Sequence, residues 1–123
     1  MRVFKTKRFT KWAKKERLTD ATLFKAVREM GQGLVGARLG GQVYKKRIGA
    51  EGRGKRGSFR TILAFKMSEK AFFIFGFAKH QLANIDEEQV DQLKILASCF
   101  MRYDDHALKH ALKENELIEV YDE

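Results

Sequence analysis

Proline is absent from this chain, and cysteine, at a single residue, is nearly so. Without proline, every reversal has to be made by glycine or by Asx and Ser side chains folding back on the backbone, and ten glycines supply that need. The lone Cys99 cannot close an internal disulfide, which excludes a bridge-stapled secreted scaffold, and Met1–Thr10 holds no apolar stretch of signal-peptide length. A cytoplasmic location is therefore expected. Long hydrophobic runs are missing too: the longest, Ala71–Ala78, has eight residues including a glycine, far short of the roughly 20 that cross a bilayer. Internal repeats, low-complexity tracts and linker-like segments do not occur, so one domain over 1–123 is expected, with a helical C-terminal extension over about 86–123.

Acidic residues are scarce in the first half. Residues 1–66 hold 19 Lys/Arg against 4 Asp/Glu, whereas residues 67–123 hold 6 against 12, within a whole-chain charge of +9. A basic half of that strength attracts polyanions at long range and releases counterions from phosphates, so nucleic acid is the first partner to consider. An acidic protein or an anionic lipid is the alternative, and a charge excess that serves solubility alone is the plain reading.

The periodicities give an α+β order. Val3 and Phe4 suggest an edge strand; Lys7–Arg17 reads as a helix with Phe9, Trp12 and Ala13 on one face and a lysine ridge on the other. A second helix, capped by Thr19 or Asp20, buries Leu23, Phe24, Val27 and Met30 and ends at Gly31, placed as a C′ glycine; the two make a helical hairpin. Gln42–Ile48 alternates Val43, Lys45 and Arg47 on one side with Tyr44, Lys46 and Ile48 on the other, and its charge points to a solvent-facing strand. Ser58–Lys66 and Ala71–Ala78 form a hairpin at the centre of the sheet, the second run apolar on both faces and the most buried element. Asp86 with Gln89 has capping-box spacing and opens a helix carrying Val90, Leu93, Leu96, Ala97 and Phe100; Asp104 or Asp105 starts another with Leu108 and Leu112. Leu117, Ile118 and Val120 add an edge strand or simply dock; the pattern fits both.

Between Gly52 and Phe65 the chain reads GRGKRGSFRTILAF, with glycines alternating with Arg53, Lys55 and Arg56 before the strand that bears Arg60. Backbone N–H groups with guanidinium and ammonium ends suit phosphate. No Gly-Lys-Ser/Thr triplet opens a helix, so this is not a nucleoside-triphosphate loop; a hairpin loop that is basic for solubility is the bland alternative. Arg60 lies in an apolar run, where a guanidinium needs water or an anion. If the strand of Lys45 and Arg47 pairs beside it, three cations share one sheet surface, and Lys79 and His80 at the exit of the next strand close a ring. Cleavage of RNA by its own 2′-hydroxyl needs a base, charge stabilisation for a phosphorane and an acid for the leaving oxygen. Arg60 suits the phosphorane; Lys45, Lys79 or His80 suit the proton transfers. No carboxylate, metal or cofactor is required. His106 and His110, four apart with no third ligand at metal spacing, read as a surface pair, Cys99 as core, and the Phe72, Phe73, Phe75 and Phe77 run as core before it is a stacking platform.

Together KKRIG, GRGKRGSFRTILAF and FFIFGFAKHQLANI with its capped helix resemble the RelE/HigB-like toxins of bacterial toxin-antitoxin pairs, over nearly the whole chain. The resemblance implies a RelE/ParE-like fold, with an N-terminal helical hairpin on a small twisted, mainly antiparallel sheet, and cleavage of messenger RNA in the ribosomal A site. It implies that Arg60 sits at the centre of the active sheet, Lys45 and Arg47 on its basic strand, and Lys79 and His80 on the basic segment after the next strand. It also implies a silencing antitoxin, often with a DNA-binding domain. Where relatives commonly carry Asn-Glu-Arg after the FAK-like stretch, this chain has His80, Gln81 and Leu82, and neither Tyr103 nor Tyr121 matches the C-terminal tyrosine some relatives use. Two other classes compete: a ParE-like inhibitor of DNA gyrase, which needs no gathered cations, and a basic nucleic-acid-binding module that leaves RNA intact.

Overall fold

The computed structural model describes residues 1–49, 58–78 and 86–122. In chain order the elements are β1 (Arg2–Thr6), α1 (Lys7–Lys15), α2 (Asp20–Gly31), β2 (Ala37–Gly40), β3 (Val43–Gly49), β4 (Ser58–Lys66), β5 (Lys70–Ala78), α3 (Glu87–Met101), α4 (Asp105–Lys113) and β6 (Leu117–Val120). The six strands make one sheet in the order β2-β3-β4-β5-β1-β6, antiparallel throughout except where β1 runs parallel to β5.

Side-chain alternation sends each strand's residues into two cores. On one face Val3, Leu63, Phe65 and Phe73 meet Phe9, Leu23, Val27 and Met30 from α1 and α2. On the other, Phe4, Ile62, Ala64 and Phe72 meet Ala97, Phe100, Leu108 and Ala111 from α3 and α4. Rings bridge the layers: Phe9 stacks on Phe73 at 5.2 Å, and Phe72 lies between Phe4 at 5.1 Å and Phe100 at 5.2 Å. Doubly covered β5 thus has its second apolar layer from its own chain.

Local signals start the helices where the sequence puts them. The hydroxyls of Thr6 and Thr19 accept from the N–H groups of Phe9 and Thr22, and Asp104 does the same for Ala107. At α3 both halves of the capping box form, Gln89 N–H to the Asp86 carboxylate at 2.8 Å and Asp86 N–H to the Gln89 amide at 3.4 Å. Gly76 lets α1 approach: a Cβ at that position would collide with the Trp12 ring.

Several expectations change. β1 is not an edge strand, because β6 pairs outside it, Val3 opposite Val120; the C-terminal segment takes the strand alternative. Gly31 is the last residue of α2 rather than its C′ glycine; the left-handed position is Gly33, at φ +101°. β3 is not solvent-facing. It lies between β2 and β4 and buries Val43, Lys46 and Ile48, because Lys46 has partners: its ammonium donates to the Leu34 carbonyl at 3.0 Å and pairs with Glu29 at 3.4 Å. Leu96 is 39% exposed, α3 turning its Ala97 and Phe100 inward instead. The edge strand β2 had no signal beyond its flanking glycines.

Candidate functional site

The β3–β4 pair runs in unbroken register from Val43 opposite Ala64 to Gly49 opposite Ser58. That register sets Arg47 directly across from Arg60 and Lys45 across from Ile62. Val43 and Ile62 belong to the α3/α4 core, so alternation puts Lys45, Arg47 and Arg60 on that same face. Phe77 is the partner of Arg60 on β5, its ring 6.0 Å from Phe75. Three cations therefore share one sheet surface with an aromatic border.

Directly opposed residues in an antiparallel pair have Cβ atoms only about 4.5–5.5 Å apart, and like charges placed so are destabilising. No ion pair among the described residues relieves Lys45, Arg47 or Arg60; the five that form lie elsewhere. Arg60 Nη1 is moreover buried and has no hydrogen-bond acceptor among the described residues. A buried donor left unpaired costs about 1–3 kcal/mol, more when it is charged. An anion bound by both arginines would remove both penalties, and the planar fork of arginine matches paired phosphate oxygens.

Lys79, His80, Arg53, Lys55 and Arg56 lie outside the described residues. The residues that border them are at the arginine end of the sheet: Gly49 faces Ser58, and Phe59 faces Ala78. His106 and His110 are exposed on α4, and no metal-binding group of His, Cys, Asp or Glu forms among the described residues. Cys99 is half-buried on α3, with Arg102 Nη2 at 3.9 Å from its sulfur.

A family model described as the RelE toxin of the RelE / RelB toxin-antitoxin system matches residues 1–120. The chain belongs to the RelE toxin family. No curated protein matches it. Membership makes it the toxin of a toxin-antitoxin pair and implies an antitoxin partner. No helix among the described residues is long and apolar enough to cross a membrane.

One cation of this RelE toxin escaped the sequence. Arg8, at the start of α1, places its guanidinium 5.3 Å from the Phe75 ring, beside the aromatic border of the site. In sequence it is one of many exposed cations in Lys7–Lys15, and only the three-dimensional pairing of α1 with β5 distinguishes it.

Proposed function

We propose that this toxin is a ribosome-dependent messenger-RNA endonuclease acting in the cytoplasm. The observation that carries the reading is Arg60: its Nη1 is buried without an acceptor among the described residues, in register with Arg47 and on the face of Lys45. That arrangement is suited to a phosphate whose negative charge grows in the transition state. In the reaction, a base removes the 2′-hydroxyl proton, the 2′-oxygen attacks the adjacent phosphorus, and the P–O5′ bond breaks as an acid protonates the departing oxygen. The products are a 2′,3′-cyclic phosphate and a 5′-hydroxyl. Arg60 stabilises the phosphorane; Lys45, Lys79 and His80 serve the proton transfers; Arg47, Arg53, Lys55 and Arg56 hold flanking phosphates. The first two helices act as the N-terminal hairpin that backs the sheet, and an acidic or helix-bearing antitoxin with a DNA-binding domain silences the site.

The test is primer extension on a reporter message in a translating extract, with and without ribosomes, for the wild-type chain and Arg60→Ala. Loss of one preorganised charge-stabilising group costs about 10²–10³ in rate. Ribosome-dependent cuts that fall by that factor in the variant are the expected result. Intact message with the wild-type chain, accompanied by gyrase inhibition or by salt-sensitive binding alone, overturns the reading.

A further inference from the structure

A cleft of about 390 Å³ opens between the β2–β3 turn and the C-terminal half of α3. Val43, Ala97 and Met101 form an apolar floor, with the Ser98 hydroxyl beside it and Lys94 and Arg102 among its walls. Neither cation has a carboxylate partner among the described residues. The turn is shaped to admit one of them: Gly40, at φ +125°, has the Lys94 ammonium 2.8 Å from where a Cβ would stand, so any other residue would push the lysine away. A mostly apolar cavity of a few hundred cubic ångströms with a few polar groups is the usual form of a small-ligand site. Here the apolar floor suits the flat face of a base, and the unpaired cations suit its phosphate. An acidic side chain alone would leave the floor unfilled.

Position says which nucleotide. Val43, Lys45 and Arg47 form one row on one face of β3, and at about 3.3 Å per residue the cleft floor is roughly 13 Å along the strand from Arg47. A phosphate seated at Arg47 and Arg60 and a base in the cleft would thus lie on one track, with Lys45 between them. We infer that this cleft holds a nucleotide of the RNA strand, roughly one or two positions from the phosphate that is cut, and so sets the register of the message on the toxin. The inference rests on the endonuclease reading above.

The probe is a fluorescent single-stranded hexanucleotide, 2′-O-methylated so that it is not cut, titrated into the full chain at several salt concentrations. A dinucleotide, too short to span the track, and free nucleoside monophosphate serve as companions. The Lys94→Ala/Arg102→Ala chain is expected to bind the hexanucleotide about tenfold more weakly and to lose roughly 0.7 of log–log salt slope per phosphate contact removed. Dinucleotide binding stays unchanged, and Lys94→Arg with Arg102 intact restores the slope. A 4-thiouridine two positions from the cut phosphate is expected to cross-link to the peptide containing Met101. Thermal melts of each variant exclude a folding defect as the cause. Hexanucleotide binding that is indifferent to the double substitution but weakened by Arg60→Ala overturns the cleft assignment and leaves the endonuclease reading standing. Loss of monophosphate binding alone overturns it in favour of a free nucleotide. If neither variant alters hexanucleotide binding and no message is cut in the extract, the endonuclease reading fails, and the cleft assignment with it.

Discussion

Lys46 and Arg47 are adjacent on β3, yet the side chains face opposite sides of the sheet and meet opposite circumstances. Lys46 is buried against α2 with both a carboxylate and a carbonyl for its ammonium; Arg47 is exposed, faces another arginine and has no carboxylate partner among the described residues. The same division runs through the two faces. On the α1/α2 side Gly76 admits Trp12, and Thr61 donates its hydroxyl to the Lys46 carbonyl at 3.0 Å, so polar groups there are satisfied. On the α3/α4 side, beyond the reach of the Phe4–Phe72–Phe100 stack, Arg60 Nη1 lacks an acceptor among the described residues. A satisfied cation is architecture; an unsatisfied one, held beside a like charge, is where the endonuclease reading proposed above would seat the phosphate.

Substitutions can break this contrast from either side. The largest effect on stability is expected from Phe73→Ala, which empties the centre of the sealed core: a loss of about 3–5 kcal/mol in urea unfolding. Lys46→Ala should lower stability by about 1 kcal/mol through loss of the hydrogen bond to the Leu34 carbonyl and the contact with the part-exposed Glu29, while cleavage per folded molecule stays at the wild-type level. A cleavage defect like that of Arg60→Ala, measured in the same extract, would erase the distinction between the two faces. The smallest effect concerns the far edge, where Arg2 and Glu119 join β1 to β6 at 2.8 Å. The hydrogen bond from Arg2, followed by its charge, holds the Glu119 carboxyl below the usual range, although partial burial pushes the other way. A depressed folded value gives stability that is present above the unfolded carboxylate pKa of about 4.3 and is lost as pH falls through the folded one. Glu119→Gln should therefore cost at most about 1 kcal/mol at pH 7, with the difference from wild type fading as the medium turns acid, in urea melts at stepped pH.

Much of this was legible in one dimension because the signals were local. Thr19, Asp86 with Gln89, and Asp104 announce helix starts through bonds to residues three positions away, and strict alternation in β3 told which side chains share a face. That Lys45, Arg47 and Arg60 would share a surface was conditional on their strands pairing, and only the observed register sets Arg47 directly across from Arg60. What stayed hidden depends on distant partners. Lys46 looked solvated because Glu29 and Leu34 are far along the chain; β1 looked like an edge because its outer neighbour is made of residues near 120. Arg8 and Lys94 look like any surface cation until Phe75 and Gly40 are brought beside them.

The position of β1 also separates two events in the life of the chain. Strands β3 and β4, which bring the arginines together, are joined by a short connection and can pair early in synthesis, whereas β1 gains its last neighbour through contacts such as Arg2 with Glu119, 117 residues apart. Contacts between residues so distant in sequence form slowly, after the loop-closure entropy has been overcome. A ribosome making this protein thus carries a nascent chain whose cation surface can assemble before its first strand is fenced in, and the final seam closes only when the last strand has emerged.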